Sequence, residues 1–298
     1  MKKIAVLLSA YNGDEYIEEQ IESIYHQKGV DVRLFVRDDG STDIFVKKLK
    51  MLQRIYHFTL IEGENVGFLK SFFVLLRTVE NADLYAFADQ DDIWMADKLL
   101  TAQEWFLENG KSDIPQLYHS AYDIIDTKDS NRIGHFYFLN DDYDFRRSIT
   151  ENHYSGFSMV INATLREYML LGDWERIGYH DWWAAMIVQA FGEGYFDNKV
   201  LALHRAHGGN VTTFNMKTRL QWLKKSLCEE SDIHKRAVEF ERCFGKKISD
   251  LDAQMLKMFC MKGYHLGYAL KKCFYPKRWR PVLSSEIVMR FLMLVGKV

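Results

Sequence analysis

The sequence predicts an α/β protein built on a mostly parallel sheet and followed by a helical extension. Three observations carry this. Short apolar runs alternate with amphipathic helical patterns through about the first 115 residues. The polar clusters of that half fall directly after the apolar runs. Beyond about residue 215 the composition becomes helical, Lys-rich and Met-rich.

In order, "IAVLL" precedes an amphipathic helix over about 14–27, with Tyr16, Ile17, Ile21, Ile24 and Tyr25 on one side. "VRLFV" precedes a helix from about Thr42, "FTLIEG" one from about Gly67 and "LYAFA" one from about Met95. Strands and helices alternating at this length are βαβ units, whose right-handed crossovers make the strands parallel. After about residue 115 the pattern loosens, with strands expected at "LYHSAYDII", "FSMVI" and "VLALHR" and a helix at "HDWWAAMIVQAF". The expected division is 1–215, in halves 1–115 and 116–215, and a basic helical extension over 216–298.

The 298 residues are 48% hydrophobic and 14% aromatic, which excludes a disordered or fibrous chain. Charge is nearly balanced overall, with 39 Lys and Arg against 41 Asp and Glu. It is unevenly distributed. Residues 216–298 hold 18 basic and 8 acidic side chains, and residues 1–215 hold 21 and 33. The acidic first part argues against a nucleic-acid partner. Cys228, Cys243, Cys260 and Cys273 include no C-x-x-C pair, so reduced thiols and a cytoplasmic compartment are expected. The opening "MKKIAVLL" has an apolar run only from Ile4 to Leu8, short of the ~7–15 residues of a signal-peptide core, and reads as a first strand. No run reaches the ~20 apolar residues of a membrane span; "IVMRFLMLV" is interrupted by Arg290.

Open α/β sheets bind ligands outside the carboxyl ends of their strands. Four polar clusters are expected along that edge: "SAYNGDEY", "RDDGSTD", "EGENVGF" and "DQDD". Asp89 and Asp91, two apart at a strand end, can share a hard divalent cation, with the remaining oxygens from water and phosphate. The plainer alternative is that Asp91 or Asp92 caps a helix beginning near Trp94, but a cap needs one carboxylate where three are present. "DDGSTD" is either a turn with Ser41 or Asp43 capping the next helix, or an acidic contact to a nucleobase or ribose. "YHDWW" sets Asp181 beside bulky aromatics, where a carboxylate suits proton removal from a hydroxyl, or serves as a cap. "LHRAHGGNVT" offers Arg205 and His207 to a diphosphate, and His204 with His207 as an alternative metal pair. G-x-G-x-x-G is absent after the first strand, and "GENVGFLKS" fails the P-loop pattern, which argues against a dehydrogenase and a P-loop NTPase.

Seven motifs in order, "LLSAYNGDEYIEEQIESI", "VRDDGSTD", "ENVGFLKSF", "FADQDDIW", "SGFSMVIN", "HDWW" and "HRAHGGNVT", give residues 1 to about 212 a resemblance to family 2 glycosyltransferases of the GT-A fold. In detail they are similar to the bacterial rhamnosyltransferase-like branch. The resemblance implies that Ala10 and Tyr11 line the nucleotide pocket, that Asp39 or Asp38 contacts the base, and that Lys70 and Gln90 lie among the donor-binding residues. Asp89-Gln90-Asp91 looks like the family's D-x-D, with Asp91 the principal ligand of Mg²⁺ or Mn²⁺ and Asp89 nearer the nucleotide sugar. Ser155 and Gly156 fall near the donor sugar, Asp181 is similar to the catalytic base, and Arg205 and His207 close on the diphosphate. Many members carry Glu-Asp where this chain has His180-Asp181, so that glutamate's role does not transfer.

The implied activity is inverting, metal-dependent transfer of one sugar, with L-rhamnose from dTDP-rhamnose the leading donor and a lipid-linked glycan the acceptor. A UDP-hexose donor, a nucleotidyltransferase and a non-catalytic sugar-nucleotide-binding protein are the alternatives. In the extension, Lys262, Lys271, Lys272, Lys277, Arg278 and Arg280 are interleaved with Tyr264, Tyr268, Phe274, Tyr275 and Trp279, with no acid between Lys262 and Ser285. That mixture suits an anionic membrane surface, hence an expected peripheral location on the inner face of the cell membrane.

Overall fold

The computed structural model describes residues 2–127, 130–137, 143–206 and 231–298. Its strands are β1 (Lys3–Ala10), β2 (Asp31–Asp39), β3 (Thr59–Gly63), β4 (Leu84–Asp89), β5 (Ile93–Trp94), β6 (Gln116–Asp126), β7 (Arg132–Phe136), β8 (Met159–Asn162) and β9 (Glu193–Ala206). The helices are α1 (Ile17–Tyr25), α2 (Asp43–Tyr56), α3 (Phe68–Thr78), α4 (Lys98–Asn109), α5 (Phe145–Thr150), α6 (Ala163–Met169), α7 (Trp174–Ile177), α8 (His180–Phe191), α9 (Asp232–Phe244), α10 (Asp250–Cys260), α11 (Leu266–Cys273) and α12 (Leu283–Leu294). The chain forms two compact units. One comprises Met1–Asn140, Tyr154–Leu170 and Tyr179–His207; the other Asp141–His153, Leu171–Gly178 and Gly208–Val298.

The first unit holds the whole sheet, ordered β3-β2-β1-β4-β8-β6-β9-β5, with β7 on β6. The block β3-β2-β1-β4 is parallel throughout. Ile4 to Leu8 of β1 are fully buried, as expected of a central strand covered on both faces. On α1, Ile17, Ile21 and Ile24 recur at helical spacing and bury one face in the same core as Phe45, Leu49 and Leu52 of α2. Each such side chain contributes roughly 1.5–3 kcal/mol by leaving water.

The chain runs from β1 outward to β2 and β3 and then returns to place β4 on the other side of β1. The topological switch point therefore lies between β1 and β4, where Ser9 is in register with Asp89. Leaving β4, the chain turns at once into β5, whose Ile93 and Trp94 pair antiparallel with Leu203 and Ala202 of β9. This short strand delays the helix anticipated from about Met95, which starts at Lys98. Neither Asp91 nor Asp92 is its cap, because both precede β5. The anticipated Ser41 or Asp43 cap of α2 is also replaced: Thr42 occupies the cap position without a side-chain bond.

The second unit is helical in its described parts. Arg236 of α9 is buried and donates from Nε to the Ile177 carbonyl (2.6 Å). Glu239, also buried, accepts from the Asp173 N–H (2.7 Å). Trp279 is fully buried, with its indole N–H on the Lys272 carbonyl (2.9 Å) and Phe259 edge-on at 5.2 Å. It is a core residue, which corrects its reading as an interfacial aromatic. Among the described residues Cys243, Cys260 and Cys273 are free thiols, and Cys228 lies outside them.

Gly40 shows why "DDGS" needs its glycine. Its φ is +76°, and a Cβ there would lie 2.4 Å from the Asn65 backbone nitrogen, so both strain and backbone overlap oppose any side chain. Gly40→Ala is expected to lower the unfolding free energy by about 1–3 kcal/mol in urea titrations; an unchanged midpoint would contradict the tight apposition of the two loops.

Candidate active site

The loops at the carboxyl edge are tied together by side chains. Leaving β1, Tyr11 donates its N–H to Gln90 Oε1 (2.8 Å) and accepts from Gln90 Nε2 at its carbonyl (3.1 Å). This amide-to-backbone pair fixes the β1 loop to the β4 turn, and Gly13 leaves the room: a Cβ there would sit 2.4 Å from Gln90 Oε1. Asn12, at φ 46°, receives the Thr42 N–H at Oδ1 (3.0 Å) and donates its own N–H to Ser41 Oγ (3.0 Å). Side-chain bonding of this kind lets asparagine hold a left-handed turn. Ala10 is buried opposite Asp38, while Tyr11 is 49% exposed.

Asp38 and Asp39 are both buried but differently used. Asp39 accepts from the N–H groups of Val66 and Gly67 (2.9 Å each) and is ion-paired with Arg37. Its oxygens therefore hold the start of α3, where Lys70 is half-buried. Among the described residues Asp38 accepts at long range from the Ser41 N–H alone (3.3 and 3.4 Å), which leaves acceptor capacity on its carboxylate.

The turn after β4 concentrates charge. Asp92 is 0% exposed and hydrogen-bonded to His204 Nδ1 (2.7 Å). Burial pushes its pKa up, opposed by His204. On His204, burial acts against the charged form, yet the bond and charge of Asp92, joined by Asp89 and Asp91, raise its pKa overall. Asp89 is pushed well above the ordinary carboxylate range, first by burial and then by the charges of Asp92 and Asp91. Arg205 donates to the Asp91 carbonyl (3.2 Å) and to Glu19 (2.5 Å), and its guanidinium lies 4.8 Å from the Tyr16 ring centre. The "DQDD" and "LHRA" stretches are thus one cluster. Asp92 is bonded to His204 and precedes the cap of α4, which is Asp97, so its helix-capping role is corrected. His207 lies outside the described residues.

"SGFS" joins from β8. The Phe157 ring stacks on His204 at 4.9 Å. Ser155 donates its N–H to His119 Nε2 (2.8 Å), and its hydroxyl bonds Tyr122 OH (3.1 Å). Asp181 is half-buried in the first turn of α8, where its Oδ1 accepts from the Trp182 N–H (2.7 Å) and the helix dipole favours negative charge. It does not occupy the cap position, which Tyr179 holds. The Asp181 charge reaches both Asp89 and Tyr122 electrostatically. Sequence reasoning missed Lys98, His119 and Tyr122. Lys98 is fully buried, 5.0 Å from the Trp94 ring centre, and burial lowers its pKa to about 7 against the pull of Asp92. Only Tyr122 had a legible signal: alternation along β6 puts it on the same face as Ser120, which bonds Ser158 of "SGFS" (2.8 Å).

Among the described residues no three His, Cys, Asp or Glu side chains converge as a metal cluster. The donor set fits a hard cation all the same. Asp92 Oδ2 is a buried acceptor without a hydrogen-bond partner among the described residues, and the like charges on Asp89 and Asp91 are destabilising unless a cation or proton intervenes. Two carboxylates completed by water and phosphate oxygens are an ordinary Mg²⁺ arrangement.

The sequence profile of Glycosyl transferase family 2 matches residues 5–170, more than half of the chain. The chain is a family 2 glycosyltransferase. Among curated relatives, the transferase is 28% identical to the dTDP-rhamnosyl transferase RfbG of Shigella flexneri over 237 residues, covering 74% of this chain and 78% of that one. It is 29% identical to the putative teichuronic acid biosynthesis glycosyltransferase TuaG of Bacillus subtilis over 35% of this chain and 42% of that one. Among solved structures, TarS 1-349 of S. aureus superposes with a TM-score of 0.58 at 13% identity, covering 100% of this chain and 81% of that one. The mannosyltransferase PcManGT of Pyrobaculum calidifontis, solved with GDP-Man and Mn²⁺, superposes at 0.54 with 15% identity, covering 99% and 86%. The transferase therefore has the GT-A fold anticipated from its motifs.

His180, where many members of the family have glutamate, is buried between Phe72 and Phe87, with ring centres at 4.6 and 4.8 Å. Burial lowers its pKa to about 3, so the ring is neutral at working pH and cannot act as a glutamate would. A Cβ on Gly156 would lie 2.4 Å from its Nε2. Gly156→Ala is therefore expected to destabilise the transferase by about 1–3 kcal/mol, with a coupling to His180→Ala of at least about 1 kcal/mol in a double-mutant cycle. An additive cycle would refute the contact.

Proposed function

We propose that this glycosyltransferase moves L-rhamnose from dTDP-rhamnose to a hydroxyl of a lipid-linked glycan acceptor in cell-surface polysaccharide synthesis, with inversion at the anomeric carbon. The observation that supports sugar-nucleotide chemistry is the meeting, at the switch point between β1 and β4, of the Asp89–Asp92 turn, the Ser155-Gly156 segment and Asp181. The rhamnose donor is supported by the dTDP-rhamnosyl transferase relative at 28% identity.

In this reading the nucleotide lies across Ala10 and Tyr11, with Asp38, which retains acceptor capacity, toward the base. Asp91 and Asp89 would hold Mg²⁺ or Mn²⁺, and the cation when bound stabilises the leaving diphosphate. The Asp181 carboxylate takes the acceptor hydroxyl proton as that oxygen bonds to the anomeric carbon. The bond from that carbon to the diphosphate oxygen breaks on the opposite side, and its electron pair leaves with dTDP. The loops after β1, β2 and β4 are bonded to one another and to the start of α3, which supports fixed positioning of the reacting groups.

Asp181→Asn is expected to reduce turnover at least ~10²-fold, the lower range of general-base contributions, while leaving the thermal shift produced by dTDP-rhamnose in place. Near-normal turnover would remove Asp181 from the role of base. A panel of dTDP-, UDP- and GDP-sugars in the same shift assay tests the donor, and stabilisation by UDP- or GDP-sugars alone would overturn dTDP-rhamnose.

The raised pKa of Asp89 predicts a pH dependence of the cation effect. Ionising this group destabilises the native state, so its stability contribution is full below the ordinary 3.8 and is lost as pH rises through the elevated value. A cation that binds the ionised carboxylate reverses that loss. The rise in Tm on adding Mn²⁺ with dTDP should therefore be larger at pH 8 than at pH 5; equal rises would argue against Asp89 as a ligand.

A further inference from the structure

The helical unit contains a surface whose chemistry the sugar-transfer site does not use. α11 and α12 pack against each other, and Gly296, just past α12, lies against the Tyr264 ring that precedes α11. On α12 the inward side is made by Glu286, Met289, Leu292 and Met293. Its outward side carries Leu283, Ile287, Phe291 and Leu294, spaced as one helical stripe, with Ile287 61% and Phe291 52% exposed. No charged side chain interrupts the stripe. Arg290, the residue that breaks the apolar run in the sequence, is turned to Glu286 (2.6 Å) and to the carbonyls of Cys273 (2.5 Å) and Lys277 (3.1 Å). α11 repeats the pattern with Leu266, Leu270 and Phe274, the last 76% exposed.

Along α11, α12 and the loop between them the exposed charges are of one sign. Lys262, Lys271, Lys277 and Arg278 are exposed, and from Ala253 to Val298 the single acid is Glu286, which is buried and paired. A second copy of the chain would bring two such cationic rims face to face, and like-charge juxtaposition opposes that pairing. An anionic lipid headgroup layer supplies the opposite charge and an apolar layer beneath it. No helix among the described residues is long and apolar enough to cross a membrane. A helix with an apolar stripe and a basic border of this kind lies in the interfacial plane.

We infer that the outer faces of α11 and α12 dock the protein on an anionic bilayer surface, with Ile287, Phe291 and Phe274 entering the headgroup layer and Lys271, Lys277 and Arg278 contacting lipid phosphates. The inference stands apart from the donor and the acceptor, because it needs neither.

The test is co-sedimentation of the full chain with phosphatidylcholine vesicles containing phosphatidylglycerol, and with phosphatidylcholine vesicles alone, at 0.1 M and 0.5 M salt. The wild type is expected to sediment with the anionic vesicles at low salt. Ile287→Ser/Phe291→Ser and, separately, Lys277→Glu/Arg278→Glu are expected to lower the bound-to-free ratio at least about tenfold, with unchanged circular dichroism and Tm. Because these side chains are exposed, folding should survive, and the charge pair provides a second route to the same conclusion. A wild type that stays in the supernatant, or serine and glutamate variants that sediment like it, would overturn the proposal. So would light scattering showing a wild-type dimer that Ile287→Ser/Phe291→Ser converts to a monomer with no vesicle binding by either form, since the face would then be a contact between copies.

Discussion

Crowded carboxylate charge at the carboxyl end of β4 is the constraint around which the catalytic unit is arranged. Three aspartates in four positions cannot all leave water charged without compensation. The structure handles them separately. Asp92 goes into the core and is met by His204, and its charge holds up the pKa of the buried Lys98 against desolvation. Asp91 stays in the turn, with its carbonyl held by Arg205. Asp89, at the strand end, keeps a carboxyl whose ionisation burial and the neighbouring carboxylates disfavour. The pairing of β5 with β9 makes this possible, because it carries His204 and Arg205 to within hydrogen-bonding reach of residues more than a hundred positions earlier.

A second layer of organisation comes from side chains bonded to backbone across the loops. Gln90 holds Tyr11, Asn12 holds Thr42, and Asp39 holds Val66 and Gly67. These bonds join the first four strand ends into one rim. A rim so connected presents its groups in fixed directions, the condition under which electrostatic stabilisation of a leaving diphosphate is most effective. It also separates two adjacent aspartates by role: Asp39 is consumed by the rim, and Asp38 is left with acceptor capacity.

In the helical unit, residues of one chemical kind part according to direction. Trp279 and Lys272 turn inward and bond to backbone carbonyls, whereas Phe274 and Lys271, with the same composition, face water. α12 carries apolar side chains on both its inner and its outer side, the feature on which the inferred bilayer contact rests. Placing the transferase at a bilayer would concentrate it where lipid-linked glycans reside.

By itself the sequence determined the order and period of the elements. Contiguous apolar runs marked β1, β2, β4 and β6, and helical spacing marked α1, α2 and α8, because both patterns are local and burial imposes them directly. It also determined which residues could carry chemistry, since charge clustered after strands has few structural uses. Tertiary structure alone decided which of those residues meet. Asp92 could not be assigned to His204, nor Asp39 to the α3 loop, nor Lys98 to the Ser158 carbonyl, because each pairing depends on strand order and loop direction over long separations. The same holds for the segments 141–153 and 171–178, which belong to the helical unit although they interrupt the first unit in sequence. Periodicity reports how a residue faces its own element; only the packed chain reports what it faces.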